Sequence, residues 1–271
     1  MLHYKVGFLG CGNLAQAIIK GLVEKKVLNP SNIYATNRSP GKPQKMQELY
    51  GIKALATNEE LVDTCDIVIL ATKPQDLSLA IDSISSSFSE KQIVISLAAG
   101  TTLRTLQKKL RQVRLARVMV NTPSLINRGV VGYVMNEDQN SLESVIEDLF
   151  SSLGYCLKVA DEDQLEAVTV SCASGTGFIF ELMTYWQDWI EERGFDPVTA
   201  RKMVVETFVG TALLAANSKD QPIEELLNKV ASKKGTTAAG LESMRELEVE
   251  RLLRYSFEKA ALRNQDLAKQ D

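Results

Sequence analysis

The chain has 271 residues, with 31 Lys and Arg against 34 Asp and Glu, for a formal net charge of −3. It holds one histidine, His3 at the extreme N-terminus, and no long apolar run is evident. That argues against Ser–His–Asp and Cys–His hydrolases, His-ligated zinc enzymes and dehydrogenases with a histidine acid or base, since each needs an imidazole in a site.

In chain order, a strand is predicted over residues 4–9 and a helix over 14–25. A strand at 32–36 and helices at 42–50 and 59–64 follow. Next come a strand at 67–71, a helix at 77–88, a strand at 93–97 and a helix at 102–110. Strands at 117–121 and 130–135, a helix at 141–153 and a strand at 155–159 end the β-rich part. Near-continuous apolar strands such as Ile67-Val68-Ile69-Leu70 suit a parallel sheet covered on both faces. Strand–helix alternation implies right-handed βαβ units, so an α/β Rossmann-type doubly wound sheet is expected over residues 1–160.

After residue 161 only helices are predicted, at 162–172, 176–192, 197–217, 222–230, 236–244 and 249–269. Pro197 and Pro222 stand at first-turn positions. Two of these helices are apolar on more than one face, through Phe178, Phe180, Trp186, Val205, Phe208 and Leu213. A small helical domain cannot bury such faces alone, so residues 161–271 are expected to form an all-α dimerisation domain. Charge follows the same division. Residues 1–160 carry 18 basic and 14 acidic side chains, and residues 161–271 carry 13 and 20. The first part is the better host for an anionic ligand.

Cys11, Cys65, Cys156 and Cys172 show no CxxC spacing and read as reduced structural thiols of a cytoplasmic protein. Residues 4–9 read as a buried strand and not a signal peptide, and the apolar stretch at 212–216 is too short for a membrane. No metal, nucleic-acid or membrane partner is expected.

Gly10-Cys11-Gly12-Asn13-Leu14-Ala15 reads GxGxxA, after a strand and opening a helix. Gly10 permits the tight turn, Gly12 lets a pyrophosphate approach the backbone, and Ala15 lets helix pack on strand. Free amides at Asn13 and Leu14 then face the phosphates. The alternative is a tight turn without a ligand. The second strand ends Thr36-Asn37-Arg38-Ser39, with no acid for ribose hydroxyls. Arg38 stands where a 2′-phosphate would lie, with Asn37 and Ser39 as neutral helpers, so NADPH is expected over NADH. The alternative is an exposed loop arginine. Three more loops follow strand C-termini: Ala71-Thr72-Lys73-Pro74, Ala98-Ala99-Gly100 after its strand, and Asn121-Thr122-Pro123. Lys73 either helps neutralise phosphate, orders the nicotinamide ribose, or is solvated.

These segments together resemble pyrroline-5-carboxylate reductase along essentially the whole length. The likeness includes the GCGNLA turn, Asn37-Arg38-Ser39, Ala71 to Gln75, Ser96 to Gly100, Arg117 to Pro123, Thr169 to Phe178 and Val230 to Leu241. It implies NAD(P)H-dependent reduction of the cyclic imine 1-pyrroline-5-carboxylate to L-proline, in proline biosynthesis. It also implies a dimer of interlocked helical domains, often assembled further. Departures cluster near the expected substrate end. Val120 replaces a proline, Ala173, Thr176 and Gly177 alter a Gly-Ser-Gly-Pro-Ala run, and Lys233-Lys234 replaces Pro-Gly.

Read from its residues, the Ser232–Thr237 segment is an anion site, with Gly235 giving an unusual turn and Thr236 or Thr237 capping the next helix. An ordinary helix cap is the alternative. The resemblance implies that amides of Gly235, Thr236 and Thr237 bind the substrate carboxylate and that the Thr237 hydroxyl points at the ring nitrogen. Ser174 and Gly175 enter the substrate site on the same ground, or are small residues where helices meet. A cyclic imine is basic enough to acquire a proton readily, so Thr237 and water can suffice without an imidazole. Two rivals remain open: an NADP-dependent reductase of another small imine or oxo acid, and an inactive paralogue that keeps nucleotide binding.

Overall fold

The computed structural model describes residues 2–111, 113–136 and 140–269. β1 (Val6–Leu9) leads through the glycine turn into α1 (Asn13–Glu24). β2 (Ile33–Thr36), α2 (Gly41–Tyr50), β3 (Lys53–Ala54) and α3 (Asn58–Thr64) follow. β4 (Ile67–Leu70), α4 (Pro74–Asp82), β5 (Ile93–Ser96) and α5 (Leu103–Lys109) continue the alternation. β6 (Arg114–Val120), β7 (Gly129–Met135), α6 (Asn140–Phe150) and β8 (Gly154–Lys158) finish the sheet. Among the described residues the strands form one sheet in the order β3-β2-β1-β4-β5-β6-β7-β8.

The expected doubly wound α/β sheet is present, with two corrections. β6 and β7 are antiparallel, with Val118 opposite Tyr133, and β7 and β8 are parallel to each other. Only a short 3₁₀ turn, Thr122–Ile126, joins β6 to β7. A connection that short can reverse the chain, whereas a parallel return needs a longer crossover. The second correction is β3, whose two residues carry no apolar run to announce a strand. α4 also differs from its predicted span. It begins at Pro74, which occupies the first turn, and it ends at Asp82 before a separate 3₁₀ turn at Ser85–Ser87.

The sheet is covered on both faces. Ile67 and Ile69 belong to one buried layer with Phe8, Ile18 and Ile19. Val68 and Leu70 belong to the other, with Leu77, Ile81 and Leu106. The period-two alternation of a strand explains why the run had to be apolar throughout.

Beyond the sheet, α7 (Glu162–Val168), a π turn at Thr169–Ser174 and α8 (Gly175–Glu191) form one helix of 30 residues. The predicted break at 173–175 is absent. Thr169, Ser171 and Thr176 hydroxyls each donate to the carbonyl four residues back, at 2.8, 2.6 and 3.0 Å. Such back-bonding distorts a helix without ending it. This helix is long and apolar enough to cross a membrane by length and composition alone, a stretch the two-helix reading missed. α9 (Pro197–Asn217), α10 (Ile223–Val230), α11 (Thr236–Glu246) and α12 (Val249–Lys269) complete the chain. Pro197 opens α9 as expected, while Pro222 precedes α10 as its N-cap.

Two compact units result, Met1–Thr176 with Ala260–Asp271, and Gly177–Lys259. In the first, Asn264 and Gln265 of α12 donate to the Glu166 carboxylate of α7 at 3.1 and 3.0 Å. In the second, Ile190, Ala200 and Val204 form a small buried cluster, and Trp186 meets Phe208 edge-on at 5.3 Å. Phe180, Tyr185, Trp189, Val209, Leu213 and Leu214 of that unit stay exposed in the single chain. Large apolar side chains left exposed in that number are what a subunit interface covers.

Candidate functional site

The nucleotide end is built where β1, β2, β4 and β5 finish. Gly10 takes φ +100°, and a Cβ there would lie 2.8 Å from the Ala71 carbonyl and 2.9 Å from the Thr72 amide nitrogen. Only glycine lets the β1–α1 turn press onto the β4–α4 loop. Gly12 is the opposite case, since a Cβ there would meet nothing within 4 Å. Its exposed face is open space above the start of α1. That helix has Gly12 as N-cap, no side-chain cap and no acid in its first turn. Its free amides and positive end are therefore left for an anion.

Side chains knit the loops together. Asn37 Oδ1 accepts from the Cys11 amide at 3.1 Å, and its Nδ2 donates to the Ser39 carbonyl at 3.0 Å. Gln16 Nε2 donates to the Cys11 carbonyl at 2.9 Å. Burial pushes the Cys11 thiol up to about 11, with Lys42 pulling the other way, so the thiol stays protonated at neutral pH. Thr72 Oγ1 is buried with no hydrogen-bond partner. A buried hydroxyl without a partner, beside an uncapped helix start and an open glycine, fits a bound dinucleotide.

Arg38 extends from the end of β2 with its side chain 89% exposed, 3.6 Å from Asp76 of α4. Lys73 is exposed and caps α4 by its backbone, and Pro74 sits at the first helical position. Leu97 donates to the Leu70 carbonyl at 3.0 Å, which carries the β4–β5 pairing into the 98–100 loop. Ala98 and Gly100 are buried there, and Gly100 takes φ +80°. The structure thus brings together the predicted cofactor residues of four loops.

Asn121 lies apart in character. It is 7% exposed, its Oδ1 accepts from the Val130 amide at 2.8 Å, and its Nδ2 donates to the Cys172 carbonyl at 3.3 Å. Its side chain braces the π turn against the sheet and keeps one amide hydrogen free. Ser174, exposed, and Gly175, buried, close that turn. π turns inside helices concentrate at functional sites.

The turn before α11 belongs to the second unit and corrects two expectations. Gly235 has ordinary extended backbone, φ −82° and ψ 171°, and it is Lys234 that takes φ +60°. Gly235 is needed for space, since a Cβ would come 2.3 Å from Ser232 Oγ and 3.1 Å from its carbonyl oxygen. Neither threonine hydroxyl caps α11; Gly235 is the N-cap, without a side-chain bond. Thr236 and Thr237 are the first two helical residues, so their amides are free for an anion. Reading the sequence missed Asp76 beside Arg38, and Glu162 beside Arg117. The acid in the first turn of α4 was the available signal for the former.

Residues 5–100 match the family model described as NADP oxidoreductase, coenzyme F420-dependent, and residues 162–267 match pyrroline-5-carboxylate reductase dimerisation. Over 269 residues the chain is 30% identical to pyrroline-5-carboxylate reductase 2 of Bacillus subtilis (strain 168), covering 98% of this chain and 96% of that one. The chain belongs to the pyrroline-5-carboxylate reductase family. A solved pyrroline-5-carboxylate reductase from Coxiella burnetii superposes with a TM-score of 0.90 at 28% identity, covering 98% of this chain and 99% of that one. The fold is also that of a Plasmodium falciparum pyrroline carboxylate reductase solved with NADP bound, with a TM-score of 0.88 at 23% identity and 99% of both chains covered. The reductase family's dimerisation segment takes in the whole apolar α7–α8 helix and the exposed aromatic residues of α8.

Proposed function

We propose that this chain reduces 1-pyrroline-5-carboxylate to L-proline as an NAD(P)H-dependent oxidoreductase acting on a C=N bond. The reading rests on full-length likeness to the reductase family together with an open, uncapped glycine turn at the start of α1. NADPH is the preferred cofactor because Arg38, and no acid, closes β2. The protein acts as a cytoplasmic homodimer joined through the helical part after residue 160, with the nucleotide domain before it.

The residue roles follow from the chemistry each offers. Gly10, Gly12, Asn13 and Leu14 cradle the pyrophosphate at the start of α1. Arg38 takes the 2′-phosphate, flanked by Asn37 and Ser39. Ala71, Thr72, Lys73 and Pro74 line the nucleotide from the β4 side, and Ala98, Ala99 and Gly100 admit it close to the backbone. Asn121 orders the floor on which Ser174 and Gly175 rest. Amides of Thr236 and Thr237 hold the substrate carboxylate, while the expected third donor, the Gly235 amide, is already given to the Ser232 carbonyl at 2.9 Å, and Thr237 Oγ1 touches the ring nitrogen. The bound nicotinamide cofactor supplies the hydride for the imine carbon. The protein aligns the reactants and stabilises charge, and the nitrogen is basic enough to be protonated through Thr237 or water.

The deciding assay follows NADPH oxidation with pyrroline-5-carboxylate, piperideine carboxylate and 2-oxo acids in parallel. Turnover is expected with the five-membered imine. Turnover only with another substrate, or cofactor binding without any turnover, overturns the reading.

A further inference from the structure

NAD-binding sheets commonly place an acid at the end of the second strand, where it accepts from the ribose hydroxyls. β2 ends here in Thr36, followed by Asn37, Arg38 and Ser39, none of them acidic. The fold nevertheless returns a carboxylate to this corner. β1 lies between β2 and β4, so the loop after β4 runs close to the end of β2. α4 opens from that loop, and Asp76, in its first turn, stands 3.6 Å from the Arg38 guanidinium.

We propose that Asp76 is a specificity-determining residue that limits how strongly the chain prefers NADPH over NADH. The inference rests on the reading of Arg38 as the 2′-phosphate ligand. Both side chains are open to solvent, Arg38 at 89% and Asp76 at 44%, so the pair is a loose tie and not a lock. A 2′-phosphate carries more charge and more acceptor oxygens than a carboxylate, and it displaces Asp76 from the guanidinium. The displaced carboxylate remains within a few ångströms of the phosphate and repels it. An unphosphorylated ribose meets the reverse situation. Its 2′-hydroxyl can donate to a carboxylate, and Arg38 then stays neutralised by Asp76. One acid therefore weakens NADPH and favours NADH.

Asp76 also complements the positive end of α4, so the test uses Asp76→Asn, which keeps the shape, and Asp76→Ser as a second variant. Dissociation constants for NADP⁺ and NAD⁺ are measured by calorimetry at low and high salt, beside KM for NADPH and NADH. Both variants are expected to bind NADP⁺ about three- to fivefold more tightly, with NAD⁺ unchanged or weaker, and the gain shrinks in high salt. Arg38→Gln is measured in the same series. If it weakens NADP⁺ while neither Asp76 variant moves the NADP⁺ to NAD⁺ ratio, the role of Asp76 is overturned and that of Arg38 stands. If Arg38→Gln leaves NADP⁺ binding unchanged, the phosphate reading itself falls, and the proposal with it.

Discussion

Arg117 of β6 and Glu162 at the start of α7 form an ion pair at 2.5 Å, with the arginine side chain 8% exposed and the glutamate 32%. The same Glu162 oxygen accepts from the Leu103 amide at 2.8 Å. One carboxylate thus ties the sheet, the start of α5 and the long apolar helix together. Arg117 Nε is buried without a partner, so the guanidinium depends on Glu162 for its compensation. Removing the acid leaves that charge stranded, which costs about 3–5 kcal/mol for a fully buried pair. Because Glu162 is partly solvated, Glu162→Ala is expected to cost about 2–3 kcal/mol in denaturant unfolding. A loss below about 0.5 kcal/mol, the usual scale of an exposed pair, would show that water compensates Arg117.

The two glycines of the nucleotide turn separate folding from binding. Gly10→Ala puts a Cβ into the Ala71 carbonyl at a backbone angle that side chains avoid. It is expected to lose about 3 kcal/mol of stability and all NADPH binding. Gly12→Ala adds a methyl to empty space, so the apo protein should melt within about a degree of the parent. Its NADPH affinity should fall at least tenfold, because the methyl stands where the pyrophosphate approaches. Unchanged affinity in a titration would move the phosphates away from this turn.

Local signals carried the first unit well. Ile67-Val68-Ile69-Leu70 announced a doubly covered strand by being apolar on both faces, and the glycine turn announced its own backbone. Strand direction was harder, because nothing in Val130 to Met135 distinguishes an antiparallel partner from a parallel one. The π turn hid in the same way: Ser174 and Gly175 look like a break, while the hydroxyls whose back-bonding accompanies the distortion lie at Thr169, Ser171 and Thr176. Asp76 and Glu162 found their cationic partners across 38 and 45 residues of chain, a pairing no local pattern encodes.

The turn before α11 holds a side chain in a backbone region that favours glycine. Lys234 holds a left-handed backbone that costs a side chain about 1–2 kcal/mol relative to glycine. Lys234→Gly is therefore expected to raise stability by about 1 kcal/mol in chemical unfolding, and a destabilised variant would mean that the Lys234 side chain holds the turn. At the neighbouring helix start, Thr237→Ala should lower turnover at least tenfold while NADPH affinity stays put. Weakened NADPH binding instead would place Thr237 at the cofactor and not at the ring nitrogen.

Alkaline pH probes the buried thiols. Burial pushes Cys65 from 9.0 up to about 12, with Asp66 adding to the rise and Lys5 opposing it. Burial likewise raises Cys156 to about 11, helped by Glu147. A raised pKa means that, above pH 9, the unfolded chain releases protons that the folded chain still holds. Stability from these thiols is thus complete below about pH 9 and is lost as pH climbs towards 11 and 12. Melting temperature is expected to fall steadily over that window, and more gently in Cys65→Ala. The variant also loses packing against Leu61 and Gly7, but that loss is the same at every pH, so the slope isolates the thiol. Parallel slopes for parent and variant would show that Cys65 ionises in the folded chain as readily as in the unfolded one.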